Sequence, residues 1–150
     1  MAITSAICNS FKVEILKAEH NFTASSGNTF NLALYTSSAT LNKSTTAYTT
    51  SNEITNTSGS AYTAKGKALT SVTPVLSTDT AVCDFADVSW TSASFTANGC
   101  LIYNTTTAGG SGTTNAVCVI AFGGDKTVSS GTFTIQFPTN DSSSAIIRLT

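Results

Sequence analysis

From Phe22 onward the large apolar residues of this chain recur at every second position, the period of a half-buried strand rather than of a helix. The clearest run is Thr29-Phe-Asn-Leu-Ala-Leu-Tyr-Thr36, with Phe30, Leu32 and Leu34 on one face and Asn31, Ala33 and Tyr35 on the other. Further strand-like runs follow at 62–70, 72–76, 80–85, 88–90, 93–103, 116–122, 131–137 and 145–149. Pro74 cannot donate to a ladder, so the second and third runs meet at an edge or a bulge. Asn98-Gly99 suits a bend or bulge inside its run. Residues 116–122 are apolar on both faces and read as a central strand. The sequence predicts a flexible Gly-rich hairpin tip at 108–113 and a turn at Gly123-Gly124-Asp125-Lys126. Phe133, Ile135 and Phe137 are expected to point inward.

Only the N-terminal region suggests a helix, from Phe11 to about Ala18, with Phe11, Ile15 and Ala18 on one face. Asn9 or Ser10 would cap it, with Glu14 near the positive end of its dipole. Short strands at regular spacing after one short helix predict an all-β fold. The expectation is one antiparallel β-sandwich domain over residues 1–150, jelly-roll-like or Greek-key, with residues 1–28 as a helix and arm packed on it. A chain of this length buries ~70% of its unfolded surface without disulfides or metals. Residues 37–60 are almost wholly Thr, Ser, Asn and Ala, with Leu41, Tyr48 and Ile54 as possible anchors. They read as a long, partly extended excursion outside the core.

Composition narrows the function classes. Charged residues make up 10% of the chain, against ~25% in ordinary soluble domains, while about one residue in three is serine or threonine. Burying a hydroxyl against a neighbour costs far less than burying an unpaired charge, so such a surface suits lateral packing against other protein. The net charge is -1 and the cations are scattered, which argues against a nucleic-acid partner. The longest apolar run falls far short of the ~20 residues of a spanning helix, so no membrane partner is expected. No secretion signal is legible at the N-terminus, and the expectation is synthesis in a cytoplasm. Cys8, Cys83, Cys100 and Cys118 are widely spaced and mostly inside apolar runs, which reads as small buried hydrophobes rather than disulfides or metal ligands.

Residues capable of chemistry are sparse. His20 is the single imidazole, and no serine carries an elbow motif around it, so it reads as a junction histidine rather than a catalyst. Asp84 and Asp87 could pair as glycosidase acid and base, and with Asp125 and Asp141 could bind calcium; turn-forming aspartates are the simpler reading. Trp90, Tyr35, Tyr48, Tyr62 and Tyr103 could line a sugar-binding face, though aromatics of a β-domain are mostly core or cross-strand partners. The Asn-x-Ser/Thr triplets at Asn21, Asn42, Asn56, Asn104 and Asn140 are chance occurrences in so hydroxyl-rich a chain. No catalytic residue, cofactor or metal site is assigned.

Several strings taken together resemble a known family. They are Ser10-Phe-Lys-Val-Glu-Ile-Leu16, His20-Asn-Phe22, Phe30-Asn-Leu-Ala-Leu-Tyr-Thr-Ser-Ser-Ala-Thr-Leu41 and Thr45-Thr-Ala-Tyr-Thr-Thr-Ser-Asn-Glu53. Asp84-Phe-Ala-Asp87, Gly99-Cys-Leu-Ile-Tyr-Asn104, Phe122-Gly-Gly-Asp-Lys-Thr127, Phe133-Thr-Ile-Gln-Phe-Pro-Thr139 and Ala145-Ile-Ile-Arg-Leu149 complete the set. The chain resembles small structural proteins of tailed bacteriophages, in order over nearly its whole length. The resemblance implies a virion component without enzymatic activity: a head decoration (cement) protein on the capsid surface, bound to the major capsid protein and to itself as a trimer or dimer, and made in the cytoplasm of the bacterial host. A tail, baseplate or fibre-associated position, with glycan binding, is the alternative. The docking elements expected are the N-terminal segment and residues 37–60, with Phe11, Tyr48, Ile54 and Tyr62 as partner-binding side chains.

Overall fold

The structure is a computed structural model and describes residues 2–55, 59–106 and 114–150. The Gly-rich tip expected at 108–113 and the Asn56 triplet lie outside the described residues. The elements are β1 (Ala6–Ile7), α1 (Asn9–Leu16), β2 (Phe30–Tyr35), β3 (Lys67–Ala68), β4 (Ser71–Ser77), β5 (Thr80–Phe85), β6 (Val88–Asn104), β7 (Ala116–Ile135) and β8 (Ile147–Leu149). They form an antiparallel five-stranded sheet, β1-β7-β6-β2-β3, and a three-stranded sheet, β4-β5-β8. This is the all-β sandwich with one short N-terminal helix that the alternation predicts.

An aromatic seam joins the two layers. Phe22 stacks on Phe30 of the larger sheet at 4.3 Å, both meet Phe85 of the smaller sheet at 6.2 and 5.7 Å, and Phe85 meets Phe137 at 5.6 Å. Phe11 of α1 joins at its end, 6.0 Å from Phe22. Each such pair adds ~0.5–1.5 kcal/mol beyond simple burial. The helix is held by its Phe11 side chain and, at its start, by the Cys8 and Asn9 amides, which donate to Val117 and Lys43. Its N-cap is Cys8, without a side-chain cap bond, and its first turn holds no acid; the expected capping by Asn9 or Ser10 and the dipole role of Glu14 are not realised. The helix stops because Ala18 adopts φ 59. The Ala18 amide donates to Ile15 and the Glu19 amide to Glu14, a Schellman closure without its usual glycine.

Strand β2 is buried on both faces except at Asn31. Beyond β3, its C-terminal half is paired by the Thr/Ser-rich segment: Ile54 N–H donates to Leu34 at 2.9 Å, Thr36 N–H to Asn52 at 3.0 Å, and Tyr35 bridges Glu53. Ala39, Leu41 and Ile54 are core residues. The reading of residues 37–60 as an excursion outside the core is thus corrected, because the described part of the segment closes the sheet.

The bulge at Pro74 is present, as a register break between Val72 and Val75 on edge strand β4. The register also shifts between Ala97 and Gly99, as Asn98-Gly99 suggested. The turn expected at 123–126 is not one. β7 continues through it, pairing Ala121 with Gly99 and Lys126 with Ala97, and the surplus residues form a bulge with Gly123 at φ 73 and Gly124 at φ 141. Both a turn and a bulge need left-handed glycines, so the sequence signal is the same. The runs 116–122 and 131–137 consequently merge into one strand as far as Ile135, and 88–90 and 93–103 into another.

Gly66 offers a direct test of how β2 and β3 are joined. It has φ 74, and a Cβ there would lie 1.8 Å from the Leu32 carbonyl oxygen, whereas one on Gly123 would meet nothing within 4 Å. Gly66→Ala is expected to destabilise the fold by ~3 kcal/mol or more, and Gly123→Ala by only ~1 kcal/mol, measured by urea unfolding.

Candidate functional site

Chemistry-bearing side chains gather at three places in the described residues, all of them largely inside the sandwich. At the first, Glu53 is 7% exposed. Its Oε2 accepts from Tyr48 Oη at 2.6 Å, and its Oε1 from Tyr62 Oη at 2.6 Å and the Lys65 amide at 2.7 Å. Tyr62 Oη accepts in turn from the Leu34 amide at 3.0 Å. Around this knot Tyr35 donates to the Thr49 carbonyl, Tyr103 to the Lys65 carbonyl, and Tyr48 stacks on Tyr103 at 4.8 Å. Burial, then the bond to Glu53, pushes the Tyr48 and Tyr62 phenols well above the ordinary range. They are neutral donors, and the arrangement is a carboxylate cage.

The second place is His20, 6% exposed and ringed by Phe11, Phe22 and Phe30. Its Nε2 lies 2.7 Å from Glu14 Oε2 and its Nδ1 3.1 Å from Asn104 Nδ2. Both ring nitrogens are thus partnered within the chain. His20 does line an apolar groove of about 430 Å³ between α1, the following arm and the smaller sheet, with Phe11, Phe22, Cys83, Ile147 and Leu149.

The third is Asp84, 1% exposed on β5. The Phe85 amide donates to its Oδ1 at 2.9 Å, while Oδ2 has no hydrogen-bond partner. Burial raises its pKa, partly offset by the amides of Phe85 and Ile146. Asp87, its supposed partner in acid–base work, instead accepts from the Phe137 amide at 2.8 Å. Asp125 accepts from Asn98, and Asp141 accepts from the amides of Ser143 and Ser144. These bonds are those of strand, bulge and turn aspartates. Among the described residues no group of three or more His, Cys, Asp or Glu is placed to hold a metal ion, and no helix is long and apolar enough to cross a membrane.

The structure corrects the partner-binding assignments. Phe11, Ile54 and Tyr62 are 3%, 6% and 0% exposed; they are core side chains and present almost no surface of their own. Tyr48 is half-buried, with its hydroxyl committed to Glu53. The sugar-binding face fails for the same reason, since Trp90, Tyr35, Tyr62 and Tyr103 are all buried. What the surface does offer is apolar and went unnoticed in the sequence. Leu76, Ala81 and Leu149 form one cross-strand row on the smaller sheet, and Leu76 and Leu149 are 72% and 58% exposed. On α1, Val13 and Leu16 are exposed as well. Strand pairing places the row on the face that carries Cys83 and Ile147 into the groove, so it continues the groove outward.

All four cysteines are free thiols in the interior: Cys8 and Cys100 have no exposure, and Cys83 and Cys118 very little. Burial pushes the Cys8 thiol up to about 11 and Cys83 to about 12, with Glu14 and Asp84 adding to the respective shifts. Comparison of the chain with protein-family models, curated proteins and solved structures returns no match.

Two substitutions test these sites. Glu53→Ala leaves a buried phenol, a half-buried one and an amide without their acceptor and is expected to cost ~3 kcal/mol or more, read by chemical unfolding. For Asp84 the raised native pKa means that the unfolded state ionises first. Its neutral form is tolerated at low pH, and stability is lost as pH rises from the unfolded carboxyl range through the native value. Asp84→Asn is therefore expected to raise stability at neutral pH by ~1 kcal/mol, and the gain over the wild type is expected to shrink towards acid pH in a series of thermal melts.

Proposed function

We propose that this chain is a non-enzymatic virion structural protein of a tailed bacteriophage. More specifically, it is a head decoration protein that binds and stabilises the major capsid protein lattice, self-associates as a trimer or dimer, and resides on the capsid surface after synthesis in the host cytoplasm. The ordered strings that resemble the phage family motivate the reading. The observation that carries it is the division between inside and outside. His20, Glu53 and Asp84 are turned inward, two of them fully bonded by their own chain. The exterior is hydroxyl-rich and sparsely charged, and it carries the apolar row of Leu76, Ala81 and Leu149. Such an exterior meets another protein surface at little desolvation cost.

The face proposed to meet the lattice is the smaller sheet with α1, in place of residues 37–60, whose described part closes the larger sheet. A modest contact per copy suffices, ~1,000 Å² or less, because copies repeated on a shell reinforce one another. The test uses purified heads lacking the protein. Heads incubated with it are expected to bind it and to withstand higher temperature, and Leu76→Asp is expected to weaken binding at least ~tenfold without unfolding the chain. Heads that bind none of it, or electron micrographs placing labelled protein on the tail, would overturn the reading.

A further inference from the structure

The proton on His20 is placed by two backbone amides that never touch it. Asn28 Oδ1 accepts from the Asn21 amide at 2.8 Å, and Asn104 Oδ1 accepts from the Thr106 amide at 2.9 Å. Neither side-chain amide can turn over without losing such a bond. The Asn104 NH2 group therefore directs one proton at Asn28 Oδ1, 2.9 Å away, and the other at His20 Nδ1, 3.1 Å away. Nδ1 must accept, so the neutral ring carries its proton on Nε2 and donates it to Glu14 Oε2. The ring side chain has no exposure.

A second proton on Nδ1 would set an N–H against the N–H of Asn104, while strengthening the contact with Glu14 into an ion pair. The two neighbours pull in opposite senses, and they belong to different bodies. Glu14 rides on α1; Asn104 ends β6. Other groups around the ring do little to change this. Glu19 is next in the chain and lies 3.9 Å from Lys17; β2 contributes Phe30, and β5 contributes the Cys83 thiol across the groove, kept neutral by burial.

We infer that the His20–Asn104 contact is an acid-sensitive latch, whose protonation frees α1 and the arm 20–28 from the end of β6 and opens the apolar groove beside them. The break falls at Asn104, and the Glu14–His20 pair leaves intact with the helix. Phe11 and Phe22, which close the groove from that side, are uncovered with it. The latch does not depend on what the exterior binds, so it stands or falls separately from the proposed capsid role.

Two measurements on the full chain test it. Nitrogen NMR of the imidazole at neutral pH is expected to show the proton on Nε2. Amide exchange, corrected for intrinsic rates, is expected to quicken about tenfold or more in α1 and residues 20–28 between about pH 8 and pH 5, while β6–β7 amides near Leu101 and Val119 stay protected. His20→Phe keeps an aromatic ring among Phe11, Phe22 and Phe30 but cannot titrate, and its arm is expected to lose this pH dependence. A proton found on Nδ1, a wild-type arm equally protected at both pH values, or a His20→Phe arm that loosens in acid like the wild type would each overturn the latch.

Discussion

The carboxylate of Glu53 holds together the part of the molecule that has least to hold it. The segment that follows β2 is poor in large apolar residues, so burial alone gives it little reason to lie on the sheet. A carboxylate at 7% exposure changes that balance. Once inside it must be satisfied, and its acceptors are filled by two phenols and an amide drawn from 48, 62 and 65. Leaving any of these unpaired costs more than making the bond gains, which converts a weakly apolar segment into one with a single acceptable position. Tyr62 then reaches β2 by accepting from the Leu34 amide, and Tyr35 of β2 donates back to the Thr49 carbonyl of the segment. The edge of the larger sheet is thereby covered along the C-terminal half of β2, where an open ladder would otherwise invite pairing with another chain.

Much of the scaffold was legible because period two reports strands faithfully. β5 is read end to end, β2 within a residue at each end, and the irregularities at Pro74 and Asn98-Gly99 fall where they were expected. Errors came where one local signal has two structural outcomes. Gly123-Gly124 satisfies a bulge as well as a turn, and only the partner strand decides between them. The helix end was foreseen near Ala18, but no sequence rule would assign an alanine the left-handed closing position.

The sites were less legible than the scaffold. Ala39, Leu41 and Ile54 follow no period, since their segment crosses the sheet edge instead of running within a sheet, so their burial left no pattern to read. Glu53 is a lone acid among threonines, and nothing in its spacing distinguishes it from a solvated one. Its role depends on Tyr62 and Lys65, which the fold brings back from beyond residue 60. His20 shows the reverse. It stands at the junction after the helix, yet one of its two partners is Asn104, far away in the chain and adjacent only in space. The exposed row Leu76, Ala81 and Leu149 escaped notice because alternation says which residues share a face, and not whether anything lies over that face.

The interior thiols carry one more consequence. A chain with four cysteines would ordinarily be hostage to its surroundings, cross-linked in an oxidising medium and reduced in another. Here all four cysteines are buried, Cys83 at the wall of the groove, and burial holds each as the neutral thiol. The native molecule can therefore pass between compartments of opposite redox character with its covalent structure unchanged, and only a chain that has lost its fold would be at risk of pairing with its neighbours.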